Sequence, residues 1–142
     1  MSFSELFKKV DAPLVNNRWS WGAVSNSGAV FLRVWQDQIQ KINNKTYARI
    51  TNYQKRDAEK GDHSLGWPER LNHIKLIKNG AQAYCFMCIA EDPTASQRKV
   101  ADFDSKQCWV GGDLIKRDRD NWLELIDRVK IRALSSDLGK AQ

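Results

Sequence analysis

Two tryptophans and an arginine stand together in Asn17-Arg18-Trp19-Ser20-Trp21-Gly22-Ala23. A third tryptophan closes Val30-Phe31-Leu32-Arg33-Val34-Trp35, two positions after Arg33. An indole offers a wide stacking face and one N–H donor. A guanidinium stacks on such rings and also hydrogen-bonds phosphate or base edges. Rings interleaved with arginines are what a protein needs to hold an unstacked base beside its backbone. Trp19, Trp21 and Trp35 are therefore the candidate stacking residues, and Arg18, Arg33 and Arg49 the candidate phosphate or base-edge contacts. The opposing expectation for each ring is burial in the core.

Other spacings carry less. Cys85-Phe86-Met87-Cys88 has CxxC spacing, but the run Ala83–Ala90 reads as a strand. Residues three apart in a strand point to opposite faces, so these thiols do not share a metal. No second CxxC exists, and His63 and His73 lack ligand spacing. His73 on a helix surface is a weak candidate base. Asp102, Asp104 and Asp113 with Lys116, and His73 beside them, make the only nuclease-like assortment. No HExxH, nucleophile triad or phosphate-binding glycine loop is present. The expectation is therefore no metal and no cofactor.

Composition agrees with a polyanion partner. The 142 residues carry a formal charge of +6, with 42% hydrophobic, 28% charged and six tryptophans. Each phosphate neutralised by such a surface releases counterions. No apolar run has the length of a membrane span, and the start MSFSELFKKVDAPL does not read as a secretory signal. Three cysteines, an odd number, point to reduced thiols and a cytoplasmic location.

These residues must be positioned by recognisable elements. Ser2–Val10 predicts a short helix with Phe3, Leu6, Phe7 and Val10 on one face and Ser2 as N-cap. Trp19–Val24 and Ala29–Trp35 read as strands, and Lys45–Asn52 as another. Residues 53–66 read as a mobile surface loop. Trp67–Asn79 predicts the main amphipathic helix, with Pro68 in its first turn and Gly80 beyond its end. Trp67, Leu71, Ile74 and Ile77 would face inward, and Glu69, Arg70, Asn72, His73 and Lys75 outward. Ala83–Ala90 is apolar on both faces and reads as a central strand. Glu91–Lys99 reads as a loop, and Cys108–Val110 as a short strand ended by a turn at Gly111-Gly112-Asp113. Leu114–Arg117 and Trp122–Val129 resemble a hairpin, with a helix from Asn121 as the competing reading. One domain over 1–134 is expected, with 135–142 a frayed tail. The fold class is α+β: a small twisted antiparallel sheet or partly open barrel flanked by helices.

The loop Ser25-Asn26-Ser27-Gly28 decides which residues the first two strands bring together. A two-residue loop sets Trp19 opposite Val34 and Trp21 opposite Leu32, which is a core face. A three-residue loop sets Trp19 opposite Trp35, Trp21 opposite Arg33 and Ala23 opposite Phe31. Gly28 favours the second arrangement, because the third loop position takes a left-handed conformation.

The Trp-bearing strands (NRWSWGA, VFLRVW) and the helix GWPERLNHIKLIKNG followed by a central strand resemble the PUA-like superfamily of small barrels, which includes the EVE, YTH and ASCH domains. That resemblance implies nucleic-acid binding, DNA or RNA, with a modified or flipped base held in an aromatic pocket. It also implies a bacterial protein, with defence against phage as its setting. The alternatives are a metal-dependent nuclease built on the aspartate set, and a protein-interaction or inhibitor module using an exposed Trp face.

Overall fold

A computed structural model describes residues 1–57, 64–95 and 98–134. Within the segment read as a surface loop, 58–63 lie outside the described residues; so does the tail 135–142. Helix α1, Phe3–Lys9, begins with a capping box. The Ser2 hydroxyl accepts from the Glu5 N–H, and the Glu5 side chain accepts from the Ser2 N–H. Leu6, Phe7 and Val10 bury as their spacing requires.

Strands β1 (Gly22–Val24) and β2 (Val30–Trp35) form the first hairpin. Gly28 has φ +91°, and the Ser25 N–H donates to Ala29 O at 2.8 Å. The loop therefore has three residues, and the register is Gly22 with Leu32, Ala23 with Phe31 and Val24 with Val30. Strands β3 (Ile39–Ile42) and β4 (Lys45–Arg49) make a second hairpin through Asn43-Asn44, whose φ angles are 52° and 66°. Asn tolerates the left-handed region this tight turn demands. Helix α2 (Tyr53–Arg56) and helix α3 (Gly66–Lys78) follow.

Strand β5 covers Ala83–Ala90, β6 Val100–Phe103, β7 Gln107–Arg117 and β8 Asp120–Lys130. The hairpin reading of 114–129 holds, turned by Asp118-Arg119 with φ 51° and 74°. Gly111-Gly112 is not a turn, however. Strand β7 runs through it with a bulge against β8. A Cβ at Gly111 would meet Ala83 Cβ and Leu123 Cδ2 at 2.9 Å, so the glycine lets three strands approach.

The strands form one eight-stranded sheet among the described residues, ordered β1-β2-β5-β7-β8-β4-β3 with β6 paired to β5. The fold is α+β and the sheet is not closed. It is mixed rather than antiparallel, because β2 and β5 run parallel from Val30/Ala83 to Trp35/Cys88. Lying between these two strands in sequence, the helix α3 lets β5 return in the same direction as β2.

Alternate residues of β2 and β5 serve two cores. Val30, Leu32, Val34 and Cys85 join Ala48, Ile50, Ile74, Leu123 and Leu125 on one face. Phe31 and Phe86 join Leu6, Phe7, Val10, Ala23, Cys108 and Ile131 under α1 on the other. Both faces of the central strands are therefore covered, as their continuous apolar sequence requires.

A buried carboxylate joins β4 to β8. Asp120 accepts from Thr51 Oγ1 at 2.8 Å and the Tyr53 N–H at 2.9 Å. It also accepts from Arg49 Nε, at 3.0 Å, and from Nη2. Asp120→Ala leaves these donors unsatisfied, so a loss of about 3 kcal/mol is expected. A urea unfolding curve should show a lower midpoint with an unchanged slope.

Candidate nucleic-acid interface

The proposed site residues do not all meet. The β1–β2 ladder ends at Trp21, whose O accepts from the Arg33 N–H at 2.9 Å. Trp19 lies outside it, in a local turn. There the Asn16 N–H donates to Ser20 Oγ, the Ser20 N–H to Asn16 O and the Arg18 N–H to Asn16 Oδ1. Side-chain hydrogen bonds thus win over strand extension, and the expected Trp19–Trp35 pairing does not form. Arg18 is exposed in the same turn. Arg49 is engaged by Asp120, Thr51 O and Asn52 Oδ1.

Trp21 is held as a structural residue. Glu69 Oε1 accepts from its N–H at 3.0 Å, and Glu69 Oε2 from Ser20 Oγ at 2.8 Å. Arg70 Nη2 donates to Trp21 O at 2.7 Å. The ring lies edge-on to Trp67, centroids 5.1 Å apart. It also covers Gly66, where a Cβ would overlap the indole. Gly66-Trp67-Pro68-Glu69-Arg70 is thus a dock for one tryptophan.

The buried face of α3 is Gly66, Trp67, Arg70, His73 and Ile74, while Leu71 is 37% exposed. The expected inward face therefore misplaced Leu71, Arg70 and His73. Backbone carbonyls at the open side of the sheet need donors, and Arg70 supplies them. Its Nη1 donates to Ile50 O at 2.7 Å, and Nη2 also reaches Arg33 O at 3.4 Å. Burial, then the nearby Arg33, lowers its pKa to about 10, so it remains charged at neutral pH.

The pair that does come together is Arg33 and Trp35. The Arg33 guanidinium carbon lies 4.8 Å from the Trp35 ring centroid, and that of Arg98 lies 5.4 Å from the same ring. Arg98 is clamped by both oxygens of Asp37, at 2.6 and 2.8 Å. Arg33 has no such partner: its Nε is buried without an acceptor, and no carboxylate pairs with it among the described residues. Burial is the main cause of its lowered pKa. Two guanidiniums thus lie beside one indole, and the nearby carboxylate of Asp37 pairs with only one of them, Arg98. Arg98 was missed because it lies in sequence beyond β5, in a segment that reads as plain loop.

A second group of rings lies beyond Trp21. Tyr53 and Trp67 have centroids 5.4 Å apart. Arg56 lies 5.5 and 5.7 Å from these two rings, and Arg119 lies 5.6 Å from Tyr53. Arginines and aromatic side chains therefore alternate on both sides of Trp21.

Comparison with known proteins gives no match to a family model, a curated protein or a solved structure. The reading of this chain accordingly rests on its own geometry.

That geometry does not assemble the aspartate set. Asp102, Asp104, Asp113 and Lys116 are exposed, while His73 is 2% exposed. No three His, Cys, Asp or Glu side chains gather as metal ligands among the described residues. His63 lies outside them. Cys85, Cys88 and Cys108 are buried free thiols, each pushed up to about 12 chiefly by burial, which makes them poor nucleophiles. No helix among the described residues is long and apolar enough to cross a membrane.

Two outcomes follow. Gly66→Ala drives a methyl into Trp21, so a loss of about 1–3 kcal/mol is expected in chemical denaturation. Burial and Arg70 lower the His73 pKa from 6.5 to about 3. Between these values the unfolded chain binds one more proton at this site. Stability therefore falls by about 1.4 kcal/mol per pH unit as pH drops through that window. Urea midpoints measured from pH 6.5 to 4 should decline less steeply in His73→Gln than in the wild type.

Proposed function

We propose that this protein is a nucleic-acid-binding domain that stacks an unpaired base at Trp35 and neutralises its phosphate, or reads its edge, with Arg33. The observation that carries this reading is the Arg33 guanidinium beside the Trp35 ring, without a hydrogen-bond or ion-pair partner among the described residues, while the neighbouring Arg98 is already closed on Asp37. A half-buried cation with no hydrogen-bonded carboxylate among the described residues, held by the field of Glu69, gains from a ligand that supplies a direct counter-ion. A nucleotide supplies phosphate charge, base-edge acceptors and a π-face together. The +6 charge adds long-range attraction.

The finer proposal is a PUA-like reader of a flipped or modified base in DNA or RNA, acting in bacterial defence. Its support is the resemblance of the Trp-bearing strands and the GWPER helix. A cytoplasmic location fits three unpaired, buried thiols.

The test is a fluorescence titration with single-stranded, duplex and base-modified oligonucleotides at two salt concentrations. Binding should weaken with salt. Trp35→Ala should cost about 1–3 kcal/mol of binding. Arg33→Gln should weaken binding and flatten the salt dependence by about one phosphate contact. Absence of binding at low salt, or unchanged affinity in Trp35→Ala, overturns the reading.

A further inference from the structure

The segment Gln36–Ile39 continues from Trp35 into a groove of about 340 Å³ lined by Gln36, Ile39, Met87, Asp104, Gln107, Cys108, Trp109 and Arg128. This is within the roughly 300–1,000 Å³ of small-ligand sites. The groove is separate from the Arg33–Arg98 cluster, since it shares none of those residues.

Its construction follows from the β7–β8 ladder. Trp109 and Arg128 are cross-strand partners, and the Arg128 guanidinium carbon lies 4.3 Å from the Trp109 ring centroid. Arg128 is exposed and has no ion pair among the described residues. Ile39, Met87 and Trp109 pack against the core and supply the apolar wall. Gln36 and Gln107 bring amides, each with donors and an acceptor. One carboxylate oxygen of Asp104 accepts from the N–H groups of Lys106 and Gln107, at 2.9 and 3.0 Å. The other has no partner among the described residues. Amides, a carboxylate and a ring-stacked guanidinium beside an apolar wall match a planar heterocycle bearing donors and acceptors on its edge.

We propose that this groove is a second base subsite, which takes the nucleotide neighbouring the one held at Trp35. The inference rests on the nucleic-acid reading above and adds the direction of the strand: across the turn Gln36–Gln38, from one ring to the next. The Arg128 guanidinium stacks on the incoming base or donates to its phosphate oxygens, and the Gln107 amide and Asp104 carboxylate read the base edge.

The probe is a mixed-sequence single-stranded hexanucleotide, followed by NMR and by affinity in parallel. On wild-type protein it should shift the Trp109 indole N–H and the Gln107 side-chain amide. Arg128→Ala and Gln107→Ala should each weaken hexanucleotide binding by about tenfold, while leaving mononucleotide binding and the thermal midpoint unchanged. If the hexanucleotide binds and shifts Trp35 but not Trp109, or if both variants bind it like wild type, the second subsite is overturned and the first stands. If wild-type protein binds no hexanucleotide at low salt, both readings fall.

Discussion

One guanidinium holds the open side of this sheet together. Arg70 sits on α3, reaches Ile50 O beyond β4, and reaches Trp21 O and Arg33 O on the first hairpin. The sheet has β1 at one end and β3 at the other, so these carbonyls belong to opposite limbs. No carboxylate among the described residues hydrogen-bonds Arg70; its charge is balanced by carbonyl dipoles and by Glu69 next to it. Hydrogen bonds to a charged donor are stronger than neutral ones, which offsets part of the desolvation cost. Because its Nε remains without an acceptor, the arrangement is not saturated.

The same helix turn fixes the edge strand. Consecutive side chains, Glu69 and Arg70, bind the N–H and the carbonyl of a single residue, Trp21. Its ring is seated where Gly66 leaves room. This arrangement places Arg33 directly across the ladder, and Trp35 two residues further on. Arg33 and Trp35 are therefore positioned through backbone contacts rather than through loop packing. Helix α3 also brings Arg70 close to Arg33, whose positive charge lowers the proton affinity of Arg70, while Arg98 lowers that of Arg33.

Local chemistry was legible in the sequence. Gly28 specified the three-residue loop, Ser2 and Glu5 the first helix cap, and the apolar run 83–90 a central strand. Strand β3 was not foreseen, although Asn43-Asn44 is a residue pair suited to a tight hairpin. Strand β6 was hidden because Val100–Phe103 alternates only weakly and gains its order by pairing with β5. The helix face failed at Arg70 and His73, because hydropathy assigns a buried arginine to the surface unless its acceptors are known. For the same reason Trp21 could not be separated from Trp35 by residue type. Only the contacts of α3 distinguish an anchoring ring from one flanked by unpaired charge.

The parallel pairing of β2 with β5 carries a consequence for how the chain reaches this structure. Everything from 36 to 82, including β3, β4 and α3, lies inside the loop that this pair closes. Closing a long loop has an entropic cost before contacts reward it, and such non-local pairing slows folding. Here the loop contains its own fastener, since Arg70 ties α3 to the hairpin that carries β2. The central pair and the seam are coupled through one core, since Val30, Leu32, Val34 and Cys85 pack with Ala48, Ile50, Leu123 and Leu125, so neither half of the sheet can be removed without exposing the core of the other.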